Sequence, residues 1–147
     1  KNTTTTMTIT AQRTRQVNGV SYLNQHVVRK KSFKGVCVSA CLAYVGISPD
    51  QYQSTWTTRT GNSATHGILR RFGFAVRSRK SYIPKRATVG GIRKSIQKLN
   101  DPVGTVYFVS VTGHLLALDQ NGNTVIDTAS RKRDSRRVVD IKAVFKA

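Results

Sequence analysis

Glutamate is absent from this chain, and its six acidic residues are all aspartates set against 25 lysines and arginines. Asp50, Asp101, Asp119, Asp127, Asp134 and Asp140 lie scattered, whereas paired-carboxylate hydrolysis and multi-carboxylate metal cages need acids in clusters. Metal-dependent nuclease chemistry is therefore hard to assemble, and no metal or other cofactor is expected. Cysteine is also scarce. Cys37 and Cys41 stand four apart in one helix-like run, a spacing a disulfide would bridge only under strain. Free thiols in a reducing compartment follow, and with a histidine the pair matches no common zinc-ligand pattern. No apolar run approaches the roughly 20 residues needed to cross a bilayer, and Lys1-Asn2-Thr3-Thr4-Thr5-Thr6 offers no hydrophobic signal segment, so no membrane partner is expected. The chain opens at Lys1 rather than Met, which fits a piece processed or excised from something longer as well as it fits a chosen boundary.

What is present begins with charge. A net +19 over 147 residues favours a polyanionic partner, DNA or RNA. The cations recur along the whole chain: Arg29, Lys30 and Lys31; Arg70 and Arg71; Arg77, Arg79 and Lys80; Lys85 and Arg86; Arg131, Lys132 and Arg133; Arg136 and Arg137. Aromatic side chains are not interleaved with them, Trp56 and Tyr82 being isolated. The expected contact is therefore to phosphates, with little sequence preference, rather than base stacking. A cytoplasmic location, or packing inside a virion or other nucleoprotein particle, suits that surface.

Residues 1–16, rich in Thr with almost no hydrophobic periodicity, read as a flexible basic arm; residues 17–147 read as a single domain. Asn18-Gly19 marks a turn before a short strand over 20–23. Val36 to Val45 predicts a buried helix ended by Gly46, and Ser63 or Thr65 caps a short helix across Ile68, Leu69 and Phe72. An exposed strand is expected over 74–79. Thr88 caps a further helix whose apolar stripe is Val89, Ile92, Ile96 and Leu99. Strands are expected over 105–111, from His114 and up to Asp127, with a last short one near 138–141. Helices first and a mainly antiparallel sheet after give an α+β class.

Cys37, His114 and Asp127 follow one another in chain order, and a thiol, an imidazole and a carboxylate are the three groups of a cysteine hydrolase. If Asn121-Gly122 is a two-residue turn, Leu116 faces Asp127. His114 and Asp127 are then diagonal neighbours on one sheet face, roughly 7–8 Å apart at the backbone and within side-chain reach. A register slip of one residue would turn Asp127 to the other face. Cys37 in the first turn of a helix feels the positive end of the dipole, which favours a thiolate. Gln25, upstream, has an amide able to donate to a tetrahedral oxyanion, with the Cys37 N–H as a second donor.

The stretch Lys34-Gly35-Val36-Cys37-Val38-Ser39-Ala40-Cys41-Leu42-Ala43-Tyr44-Val45-Gly46-Ile47, with Gln25 upstream and the His114 and Asp127 strands downstream, resembles the C39-type and C39-like papain-fold cysteine peptidases. The resemblance runs from about Tyr22 to Thr128. It implies a papain-like fold, its N-terminal helix carrying the cysteine packed on a sheet carrying the histidine and aspartate. It also implies a peptide or protein substrate, with Cys37 as nucleophile, His114 as base, Asp127 orienting it and Gln25 in the oxyanion hole. Val36 and Val38 beside the cysteine, and Thr128 in place of a proline after the aspartate, depart from the family pattern. Two further expectations stand beside the hydrolase: an inactive papain-like module that binds nucleic acid or builds a virion or ribonucleoprotein, and a toxin domain of a larger secreted protein.

Overall fold

A computed structural model of the chain describes residues 14–24, 33, 35–56 and 62–147. Among these residues it is a mixed α+β structure with two antiparallel sheets. The smaller is a hairpin of β1 (Thr14–Val17) and β2 (Val20–Leu23). Its turn is Asn18-Gly19, with φ of 53° and 80°, the left-handed pair that matches the twist of a two-residue hairpin. The hairpin takes in Thr14, Arg15 and Gln16, which composition alone assigned to a flexible arm; cross-strand bonding to Leu23, Tyr22 and Ser21 supplies the order that local hydrophobicity does not.

The larger sheet runs in the order β3-β7-β4-β5-β6, all neighbours antiparallel. Its strands are β3 (Phe74–Ser78), β4 (Val106–Val111), β5 (His114–Leu118), β6 (Thr124–Ile126) and β7 (Asp140–Lys146). The last strand is longer than the expected segment near 138–141 and inserts between β3 and β4.

Helices cover both faces. On one, α1 (Cys37–Tyr44) and α2 (Asn62–Arg71) pack over Phe74, Val76, Phe108, Leu115, Ala117 and Val144. On the other, α3 (Val89–Gln97) lays Val89, Ile92 and Ile96 against Tyr107, Val109, Val111, Leu116, Leu118, Ile141 and Ala143. Side chains alternate across a strand, so β4 and β5 feed both cores and read as unbroken apolar runs.

Local chemistry sets the helix ends. Thr88 Oγ1 accepts from Gly91 N at 3.1 Å, capping α3. The helix α1 is apolar all round and buried from Cys37 to Leu42, as such a helix must be. It stops in a Schellman motif: Gly46, at φ 94°, and Ile47 donate to Ala43 O and Leu42 O, each at 3.0 Å. None of the described helices is long and apolar enough to cross a membrane.

Candidate active site

The β5–β6 connection decides whether His114 and Asp127 can meet. Asp119, not Gln120, closes the turn against Asn123: Asp119 N donates to Asn123 O at 2.9 Å, and Gly122 N to Asp119 O at 3.0 Å. Asp119 Oδ1 also accepts from the backbone N–H groups of Asn121 and Asn123. The loop is thus one residue longer than the expected Asn-Gly turn, with Gly122 left-handed at φ 80°. That change alone would put Asp127 on the wrong face. A β-bulge restores the register: Leu118 pairs with Thr124 but Ala117 with Ile126, leaving Val125 as the extra residue.

The two side chains do meet. His114 Nε2 lies 2.8 Å from Asp127 Oδ1, and the Asp127 side chain is 1% exposed. The second carboxylate oxygen accepts from Arg136 Nη2 at 2.8 Å, and Oδ1 accepts again from Ala129 N at 3.1 Å. Burial alone would push this carboxyl up; the bonds from His114, Arg136 and Ala129 outweigh it and hold Asp127 well below the usual carboxylate range. An ionised carboxylate only accepts. The proton of the His114 bond therefore sits on Nε2, and Nδ1 is the nitrogen left to take a proton.

Cys37 opens α1 and is fully buried in the apolar cluster with Leu23, Phe33, Cys41 and Leu115. Cys41 Sγ, one turn on, lies 3.9 Å from Leu115 O, so α1 runs alongside β5 next to the histidine. Burial first, then Cys37 and Asp127, push the Cys41 thiol up, as befits a core thiol. Strand parity is specific about the faces. His114 pairs with Val111 and shares its strand face with Leu116 and Leu118, so it belongs with Asp127 to the α3 face, while α1 covers the face of Leu115 and Ala117.

Of the residues expected to act, the structure brings His114 and Asp127 into contact and sets Cys37 at the start of a helix packed beside them. Gln25, Arg29, Lys30 and Lys31 lie outside the described residues. Arg70, Arg71, Arg77, Lys80, Lys85, Arg86, Arg131, Lys132, Arg133 and Arg137 are solvent-exposed, as phosphate contacts require. Two expected phosphate contacts differ. Arg79 donates to Asp101, whose side chain is 2% exposed, and Arg136 to Asp127; a buried carboxylate needs a cation, and these two satisfy that need. Arg136 as a partner of the His-Asp pair is the residue sequence reasoning missed. Its one signal was indirect, an aspartate expected on the same sheet face as His114. Arg93, also missed, joins the hairpin to the basic loop by donating to Gly122 O at 2.8 Å, Thr124 Oγ1 at 3.0 Å and Asp134 Oδ1 at 2.8 Å.

Compared with known family models, curated proteins and solved structures, the chain matches none.

Proposed function

We propose that this chain is a papain-like cysteine hydrolase acting on a peptide or isopeptide amide, with an outer surface suited to nucleic acid. The observation that carries the reading is the 2.8 Å contact between His114 Nε2 and Asp127 Oδ1, at the end of β5 beside the helix that begins with Cys37. In the reaction the Cys37 proton passes to His114 Nδ1, the thiolate attacks the amide carbon, and His114 returns the proton to the departing amine. Water then hydrolyses the thioester with His114 as base. Asp127 keeps the ring in the tautomer this needs, and Gln25 with the Cys37 N–H stabilises the oxyanion in both halves. Since Cys37 is fully buried in the cluster on the α1 face and His114 lies on the other face of β5, the head of β5 must rearrange before thiol, imidazole and substrate can meet.

Alkylation with iodoacetamide at neutral pH, mapped by mass spectrometry, tests this. Cys37 is expected to react ahead of Cys41 and faster than a small free thiol, and His114→Ala to slow it. A Cys37 that reacts no faster than Cys41, or is indifferent to His114→Ala, sinks the hydrolase. The buried thiol itself favours the second reading, a non-catalytic papain-like module that holds nucleic acid through its net +19 charge. That module would bind oligonucleotides with an affinity that falls steeply with salt, and Cys37→Ser would change nothing but stability.

A further inference from the structure

On the α3 face, Val111, Thr112, His114, Ala129, Arg136 and Arg137 line a cavity of about 330 Å³. Arg136 is fixed in its wall. Nη2 donates to Asp127 Oδ2 at 2.8 Å and Nε to Arg133 O at 2.6 Å, while its backbone carbonyl accepts from Val89 N at 2.9 Å. The remaining nitrogen, Nη1, is buried and has no hydrogen-bond partner among the described residues. A buried charged donor without an acceptor is costly, and this one belongs to a residue lining a cavity beside the imidazole. Asp127 is shared between His114 and Arg136, so one negative charge serves both groups.

The surroundings say which anion fits. Arg137 lines the same cavity and is itself exposed. Arg131, Lys132 and Arg133 precede it in the same loop, whose one acid, Asp134, is tied to Arg93 at 2.8 Å. Val138 N donates to Ala87 O at 2.9 Å, which brings the Lys85-Arg86 segment alongside. A single carboxylate would leave that strip of cations without a counter-charge; a chain of phosphates would follow it. Arginine suits the role because its planar fork matches phosphate oxygens.

We infer that this cavity receives one backbone phosphate of a nucleic acid next to His114, with Arg137 as a charged donor at the rim and Arg136 Nη1, out of solvent's reach in this structure, donating to a non-bridging oxygen once the side chains over it shift. The inference rests on the nucleic-acid part of the reading above and is independent of hydrolysis.

The test is a histidine-selective NMR titration of the full chain at fixed ionic strength with inorganic phosphate, acetate and single-stranded oligothymidylate, paired with oligonucleotide affinities of variants. Phosphate and the oligonucleotide are expected to move the His114 signal, acetate less. Arg136→Gln should weaken oligonucleotide binding about tenfold, a charge-assisted bond being lost. The exposed Arg137→Gln, which does not touch Asp127, should weaken it a few-fold and lower the salt slope by about 1; Arg77→Gln should do less. If the oligonucleotide binds while His114 stays unmoved, or Arg77→Gln matches Arg137→Gln, the subsite is wrong and only diffuse surface binding remains. Acetate binding more tightly than phosphate also overturns it, and an absence of oligonucleotide binding removes the subsite together with the nucleic-acid reading.

Discussion

Leu115 and Leu116 are neighbours in β5, yet one joins the apolar cluster of α1 and α2 and the other the cluster under α3. The first face is dry where it meets the thiols: Cys37, Cys41 and Ser39 are all buried, and Ser39 Oγ satisfies itself on Leu23 O at 2.8 Å. The second carries, beside its leucines, a buried carboxylate shared between an imidazole and a guanidinium. A hydrolytic site would need one group from each environment. The difference teaches that the imidazole and carboxylate are held chiefly by charge and hydrogen bonds, which have direction, whereas the helix that carries the thiols is held chiefly by burial of apolar surface, which has none.

Removing the charge should do the most damage. Asp127→Ala leaves the Arg136 guanidinium half-buried beside His114 and is expected to cost about 3–5 kcal/mol, read as a fall in the urea midpoint. Leu115→Ala, on the dry face, should cost about 2–5 kcal/mol through its cavity. The pH dependence separates the two. Asp127 titrates lower in the folded chain than the unfolded value of about 3.9, so the unfolded state binds more protons in that window. Its contribution is complete above that value and is lost as pH falls toward the folded one. Asp127→Ala should flatten the acid side of the stability profile, and Leu115→Ala should shift the profile without changing its shape.

Gly122→Ala comes next. A Cβ there would lie 2.4 Å from Arg93 O at a left-handed φ of 80°, and a loss of about 1–3 kcal/mol is expected. Since Arg93 ties this turn to Thr124 and Asp134, the variant should also disturb the His114 NMR signal. Smallest is Thr88→Ala, which removes the α3 cap for about 1 kcal/mol and should leave iodoacetamide reactivity at Cys37 unchanged.

The α1 helix, the Thr88 cap, the Asn18-Gly19 turn and the strands β4 and β5 were legible because each is specified by residues close in sequence. The His114–Asp127 contact was legible for a partly wrong reason. The turn is one residue longer than Asn-Gly suggests and the bulge at Val125 adds one residue back, so two local departures cancel. The interior place of β7, between β3 and β4, was not legible: Ile141, Ala143 and Phe145 alternate with Lys142, Val144 and Lys146, a pattern that marks a strand without naming its neighbours. Arg136 was hidden among like residues. In the run from Arg131 to Arg137, only the fold distinguishes the guanidinium that reaches a buried carboxylate from those that face water.

The position of β7 has a consequence for the order of events during synthesis. It separates β3 from β4, and β3 has no other partner in the sheet. Until residues 140–146 leave the ribosome β3 has no strand partner, whereas β4, β5 and β6 emerge earlier and can pair among themselves. Closure of the sheet is thus a late event. A chain cut back to Val139 should hold the His114 hairpin in a half-built domain open to proteases.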